Sequence, residues 1–453
     1  MSDQKFLSFP KDFTWGVATS SYQIEGAWSE DGRGLSIWDT FSRTPGKTYK
    51  GENGDTAADH YHRWKDDIEI MKSLGLQAYR FSIAWPRIQP IGKGEPNQAG
   101  LDFYDRLVDA LLEAGIEPFP TLYHWDLPQA LQDEGGWENR ETASYFADYV
   151  SIVAKKLGDR VSKWITHNEP WVMAMLGHLF GQHAPGMQDP YAAGKAVHYL
   201  LLSHGYAVDA LREDSQPGAQ IGITLNLSPV YPYSGSNEDL LAAERLDTML
   251  NKIFLDPLIC GLYPENMSSM FAAFLPEILP GDMEIIARPI DFLGVNYYNR
   301  TVAQYNPDFP VVQAEPVNPE GNEYSQMWEI YPEGLFDLLE RIHKDYHPET
   351  IYVTENGICV PDGVDFDNRV RDYRRIDYLQ SHIAQVHRTI QAGIPIKGYM
   401  VWSLLDNFEW AYGYQMRFGL VYVDFDNQKR IIKDSGTWYG KVIENNGVSV
   451  AEK

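Results

Sequence analysis

The chain has little cysteine, a shortage of positive charge and no long apolar run. Cys260 and Cys359 are the only cysteines in 453 residues. Two are too few for a disulfide scaffold or a structural zinc site, and both stand among apolar neighbours, so both are expected to be reduced and buried. Lys and Arg number 38 against 63 Asp and Glu, a formal net charge of −25. Nucleic acid and anionic membrane surfaces are held through clustered cations, so neither is expected as a partner. No window approaches the length of a membrane-spanning helix, and residues 1–10 carry no signal-peptide cleavage pattern. The simplest expectation is a cytoplasmic protein. No His/Cys/Asp cluster with metal spacing is present, so neither a metal nor another cofactor is expected.

What is present is ordinary for a soluble globular chain, with 44% hydrophobic and 22% charged residues. Aromatics are the exception: there are 13 Trp and 28 Tyr. Aromatic faces suit the apolar faces of sugars, although most such residues serve cores. The length exceeds that of a usual single core, which makes two domains the default; α/β barrels are the standing exception.

Short β-like runs alternate with amphipathic helical stretches along the chain. The runs are residues 13–19, 77–84, 116–123, 164–168, 221–226, 292–298, 351–355 and 397–403. Helices are expected over 64–74, 98–114, 141–157, 191–212, 240–254, 335–346 and 369–391, with a last one in the final fifteen or so residues. The pattern is clear in 98–114, where Leu101, Tyr104, Leu107, Val108, Leu111 and Leu112 recur at helical spacing and Gly115 follows as a stop. Residues 300–332 are Pro- and Asn-rich and aperiodic, and are expected to form an extended loop over one face. No composition shift marks a linker, so residues 1–453 read as one domain. Alternation implies a parallel sheet, and eight runs imply a closed (β/α)8 TIM barrel with extended βα loops. A doubly wound open sheet would carry a Gly-rich fingerprint after its first strand, and residues 16–26 do not match one.

In such a barrel, functional residues gather where strands end. Two runs end alike: Trp164-Ile165-Thr166-His167-Asn168-Glu169-Pro170 and Tyr352-Val353-Thr354-Glu355-Asn356-Gly357. Each closes an apolar strand on a carboxylate, which is costly to bury without partners. One such Glu reads most simply as solvated or salt-bridged. Two of them suggest a pair brought together across the barrel mouth. Gln23, His124, Trp125, Asn296, Tyr298 and Trp402 stand at other strand ends.

These stretches resemble glycoside hydrolase family 1, the β-glucosidase family, over nearly the whole chain. The resemblance is carried by Phe13-Thr14-Trp15-Gly16, Tyr22-Gln23-Ile24-Glu25-Gly26, Tyr79-Arg80-Phe81-Ser82, His124-Trp125-Asp126-Leu127-Pro128, Asn168-Glu169-Pro170, Thr354-Glu355-Asn356-Gly357 and Trp402-Ser403-Leu404-Leu405-Asp406-Asn407-Phe408-Glu409-Trp410. It implies a retaining exo-β-glucosidase acting on cellobiose-like disaccharides and aryl glucosides, with Glu169 as acid/base and Glu355 as nucleophile. Some β-galactosidase or β-fucosidase activity is also implied. Retention calls for two carboxyl groups about 5–5.5 Å apart, one protonated and one ionised. By the same resemblance, Arg80 and Tyr298 support the nucleophile and Asn168 contacts the sugar 2-hydroxyl. Gln23, His124, Glu409 and Trp410 bind sugar hydroxyls, and Trp402 lies beneath the ring; Trp125 and Asn296 are placed with the substrate. Glu409 is the residue of free-sugar members, since a carboxylate repels a 6-phosphate. A 6-phospho-β-glucosidase is the alternative enzyme, and a non-catalytic sugar-binding relative the alternative outside catalysis; the latter lose one of the two glutamates. His167 is expected to point away from the sugar, yet close enough to perturb Glu169. Trp171, Met173 and residues 300–332 are expected to shape the leaving-group site.

Overall fold

Strand pairing closes in chain order. A computed structural model describes residues 4–267, 271–309 and 311–451. Its barrel strands are β1 (Thr14–Ala18), β2 (Ala78–Ser82), β3 (Glu117–Tyr123), β4 (Lys163–Asn168), β5 (Gln220–Asn226), β6 (Phe292–Asn296), β7 (Ile351–Asn356) and β8 (Ile396–Trp402). Each pairs in parallel with the next, and β8 returns to β1 with Trp402 opposite Ala18. The expected (β/α)8 barrel is the observed one.

Side-chain volume explains why the sheet closes. Ala78, Phe119, Ile165, Phe292, Tyr352 and Met400 form one buried cluster, drawn from six strands. Tyr352 meets the rings of Phe119 and Phe292 edge-on at 5.5 and 5.3 Å. β1 and β5 supply Gly16 and Gly222 at this level, where there is no room for more. A Cβ on Gly222 would lie 2.4 Å from the Phe292 ring, and one on Gly16 2.8 Å from the Ala78 carbonyl oxygen. This packing makes the barrel floor solid, so function is confined to the mouth.

Two strands break step, β4 between Ile165 and Asn168 and β7 between Val353 and Asn356. A bulge lets consecutive residues escape strict alternation and re-aims a side chain. In β4, Thr166 and His167 both turn outward to bond His204 and Ser203. Asn168 then turns back inward. In β7, Thr354 bonds Asn296 inside the barrel, and the next residue, Glu355, also reaches the mouth. Both strands that carry an expected catalytic glutamate are therefore bulged.

Several expectations are corrected. Residues 300–332 are not simply a loop. Thr301–Tyr305 and Ala314–Val317 pair antiparallel, and Val230–Pro232 joins them as a third strand. Pro316 sits on the edge strand, where its missing N–H is harmless; it also masked the run as loop. The last helix is Asp434–Glu444, and the chain then runs as a strand, Gly447–Ala451, antiparallel to Gln4–Ser8. That partner lies at the other end of the sequence, beyond any local pattern. Cys359 is buried as expected, but Cys260 is exposed. No helix among the described residues is long and apolar enough to cross a membrane.

The helix Pro190–Asp214 illustrates how tightly the outer ring packs. Asp189 caps it by accepting from the Tyr191 N–H at 2.8 Å. Gly205 in its middle lets the helix Asp282–Ile286 approach; a Cβ there would lie 1.9 Å from the Ile285 carbonyl oxygen. Gly205→Ala is expected to destabilise the fold by about 1–3 kcal/mol through overpacking, despite alanine's better helix propensity. The urea unfolding midpoint checks it; an unchanged or raised midpoint would contradict this account.

Candidate active site

At the carboxyl ends of the strands the barrel opens into a cleft of about 650 Å³. His124, Trp125, Asn168, Glu169, Asn296, Tyr298, Glu355, Trp402, Glu409 and Trp410 line it. Arg80 and Gln23 lie just behind that surface, fully buried. The structure thus gathers every residue expected for catalysis or for holding the sugar in one place.

Glu355 is held on both oxygens. The Arg80 guanidinium forms a short ion pair with Oε1, and the Tyr298 hydroxyl donates to Oε2 at 2.6 Å. Arg80 is itself fixed, donating to the Thr121 hydroxyl at 3.1 Å and to Asn168 Oδ1 at 2.5 Å. Burial raises the Glu355 carboxyl above its usual value, and the Arg80 charge and the Tyr298 hydrogen bond take back part of that rise. A guanidinium that is always charged keeps the carboxylate form stable there.

Glu169 has no such cation. Among the described residues its one side-chain hydrogen-bond partner is a neutral amide, Asn296 Nδ2, which donates to Oε1 at 2.7 Å. Burial, then the negative charge of Glu355, pushes its carboxyl to about 8. Of the two groups, Glu169 is therefore the one that holds a proton at neutral pH. The backbone of Glu169 is left-handed, with φ 46°, as is that of two other cleft residues, Trp125 and Trp410, at 77° and 51°. Non-glycine residues accept that region at a cost when their surroundings impose it, commonly at functional sites.

Asn168 joins the two glutamates. Its Oδ1 accepts from Arg80 and from Asn296 Nδ2, and its Nδ2 donates to His124 Nε2 at 3.1 Å. Burial, and then the Arg80 charge, holds His124 well below the usual imidazole range. Neutral and accepting at Nε2, the ring carries its proton on Nδ1, which has no protein partner. His124 stacks against Trp402 and Trp410, each at 5.9 Å. Gln23 Nε2 donates to Asn407 Oδ1 and to the Phe408 carbonyl at 2.9 Å each, and to Glu409 at 3.3 Å. Burial and the Glu355 charge push Glu409 to about 8. Three carboxyl groups thus share this end of the cleft, with one guanidinium among them.

The outer wall was only partly foreseen. Trp171, Met327 and Trp328 line the cleft, but Met173 is buried away from it. His167 points outward as expected, packed on Phe146 and bonded to Ser203. Burial holds it well below the usual imidazole range, so it brings no positive charge near Glu169. His183, Asn226 and Tyr412 also line the cleft. His183 lies in an irregular stretch and Tyr412 ends the 3-10 turn Trp410–Tyr412, with no motif to flag either. Asn226 had a signal that was not used, its place as the last residue of a barrel strand.

The environment of Glu169 has a consequence for stability. Its proton is held more tightly in the folded chain, near 8, than in the unfolded chain, near 4.5. Its contribution to stability is therefore full below pH 4.5 and is lost as pH rises through 8. Glu169→Gln cannot ionise and escapes that loss. The melting temperature of the variant minus that of the wild type is expected to climb across this window and flatten above it. Melting in a buffer series checks this; a difference independent of pH would contradict it.

Comparison with known proteins shows the family. The model of glycosyl hydrolase family 1 matches residues 6–448. Beta-glucosidase A of Thermotoga maritima is 52% identical over 441 residues, spanning 97% of this chain and 98% of that one. The bifunctional beta-D-glucosidase/beta-D-fucosidase of Bifidobacterium breve is 44% identical over 459 residues, spanning 96% and 98%. Among solved structures, the family 1 b-glucosidase from Thermotoga maritima in complex with isofagomine lactam superposes with a TM-score of 0.95 at 51% identity, covering 98% of this chain and 100% of that one. With the family model spanning nearly all of it and half its residues shared with these relatives, the chain belongs to glycosyl hydrolase family 1.

Proposed function

We propose that this protein is a retaining exo-β-glucosidase that releases terminal non-reducing β-glucosyl residues from cellobiose-like disaccharides and aryl or alkyl glucosides. The observation that carries this reading is the unequal support of the two glutamates. Glu355 has a cation and a hydroxyl on its oxygens, whereas Glu169 has a single neutral amide. In the first step the Glu355 carboxylate attacks the anomeric carbon while the Glu169 proton passes to the departing oxygen. This gives an α-glucosyl ester on Glu355. Glu169, now ionised, takes a proton from water; the water oxygen displaces Glu355 and the sugar leaves as the β anomer.

The sugar is bounded by residues that also suit exo action. The aromatic group of Trp402, Trp410 and His124 closes one end, with Gln23 and Glu409 behind. Among the described residues no Lys or Arg lines the cleft, which favours an unphosphorylated sugar over a 6-phosphate. The name of the Bifidobacterium breve relative supports some β-fucosidase activity here too. We place the protein in the cytoplasm, a reading that rests on two cysteines, both free.

Proton NMR of the first sugar released from an aryl β-glucoside, read before mutarotation, is expected to show the β anomer. Initial α-glucose would refute two displacements. Glu169→Ala is expected to slow the first step by about 10²–10⁴-fold for poor leaving groups, and far less for dinitrophenolate, which needs no proton. Added azide is expected to restore turnover of the activated substrate as β-glucosyl azide. Equal losses for all leaving groups, with no azide product, would remove Glu169 from the acid/base role.

A further inference from the structure

Behind the sugar-binding end of the cleft lies a group of six charged side chains that the mechanism above does not use. Asp406 is fully buried three residues before Glu409. Its Oδ1 accepts from Lys433 Nζ at 2.8 Å and from the Gly419 N–H at 2.9 Å, and its Oδ2 accepts from Arg417 at 2.6 Å. Lys433, also fully buried, donates as well to Asp362 at 2.7 Å. Arg375 bridges Asp362 and Asp372, and donates to the carbonyls of Ile358 and Arg417 at 3.3 and 2.7 Å. Ser435 closes the far end by donating its N–H to Asp372 at 2.8 Å. Three carboxylates thus face three cations, on segments that follow β7, follow β8 and come from near the C-terminus.

We propose that this buried ion network, centred on Lys433–Asp406–Arg417, is the positioning device for the loop that presents Glu409 and Trp410 to the sugar. Residues 403–409 contain no helix and only an isolated bridge, so strand geometry does not fix where Glu409 points. Their backbone is held to neighbouring segments instead: Ser403 to Phe418 and Leu420, Leu404 to Ala18 and Val421, Asp406 to Val421, Phe408 to Gln23 and Glu409 to Gly413. Within this stretch the Asp406 carboxylate is the side chain locked from two sides by charge. The interlock is close, since a Cβ on Gly419 would lie 2.1 Å from the Asp406 nitrogen. Arg417 adjoins Phe418, which lines the cleft, and Ile358 lies three residues beyond Glu355. The network therefore joins the recognition loop to the nucleophile's strand through buried charge.

Stability alone is a poor reason for such a group. Buried ion pairs are often matched or exceeded in stability by apolar packing of the same volume. What charge pairs supply is a single register, because any displaced arrangement leaves a buried charge unpaired. Lys433 is thus a positioning residue, acting through Asp406 on Glu409.

The proposal rests on the reading that Glu409 recognises the outer hydroxyls of glucose, and the experiment separates the two. kcat and KM are measured on aryl β-glucoside and on aryl β-xyloside, which lacks the hydroxymethyl group, for wild type, Glu409→Gln, Lys433→Met and the double variant. Glu409→Gln is expected to lower the glucoside-to-xyloside ratio of kcat/KM about tenfold or more. Lys433→Met is expected to lower it in the same sense, mainly through KM, and the double variant to fall little further than Glu409→Gln. Lys433→Arg, which keeps the charge, is expected to recover most of the ratio. Should Lys433→Met fail to fold, Arg417→Gln carries the same test, because Asp406 then keeps Lys433. A Lys433→Met or Arg417→Gln enzyme whose losses are equal on both substrates, or add fully to those of Glu409→Gln, would make the network merely structural. An unchanged ratio in Glu409→Gln would instead overturn the role of Glu409 itself.

Discussion

One guanidinium among three buried carboxyl groups is the constraint on which the site depends. Glu355, Glu169 and Glu409 all lie where desolvation favours the neutral acid, and only Arg80 is placed to offset one of them. It offsets Glu355. The division of roles follows from that single placement: the group touching Arg80 and Tyr298 is the carboxylate, and the group touching only Asn296 keeps its proton. On the proposed function, exchanging those surroundings would exchange the acid and the nucleophile. A second cation in the cleft would leave Glu169 ionised and without a proton to give.

The barrel makes this arrangement possible by being rigid below and open above. Rings and small residues fill the floor, leaving no freedom for strands to slide. Against that floor, the bulges in β4 and β7 can aim neighbouring residues at one point. Asn168 and Glu169 both reach the cleft, and Thr354 and Glu355 both point inward, which strict alternation would forbid. Thr354 then orients Asn296, which orients Glu169. A hydroxyl on one glutamate's strand thus helps set the position of the other glutamate.

The recognition end is built differently. Gln23, Glu409 and Trp410 come from connections beyond the strands, Gln23 from the short helix Ser21–Ile24 and Trp410 from a single 3-10 turn, and side-chain contacts order them: Gln23 on Asn407 and Glu409, and a balanced ion network around Asp406. On the proposed function, chemistry sits at strand ends and sugar recognition on locked connections between strands and helices. A site that discriminates hydroxyl positions needs its polar groups fixed before the ligand arrives, since each one left unpaired in the complex costs affinity.

The sequence by itself determined the barrel and most of the residues that its cleft gathers. Helices 98–114 and 141–157 announce themselves because an apolar face at 3.6-residue spacing is local information, and they appear as Gln98–Glu113 and Glu141–Leu157. Glu169 and Glu355 were legible because a carboxylate at the end of an apolar strand is expensive. Only the tertiary structure decided what depends on distant partners. The strands Gly447–Ala451 and Thr301–Tyr305 pair with chain far away or across Pro-rich sequence, so no local pattern marks them. The exposure of Cys260, the burial of Met173 and the neutrality of His167 follow from which surfaces happen to meet. The proton's home on Glu169 was likewise settled in three dimensions. It depends on a guanidinium 89 residues earlier in the chain (169 − 80) lying against one carboxylate and not the other.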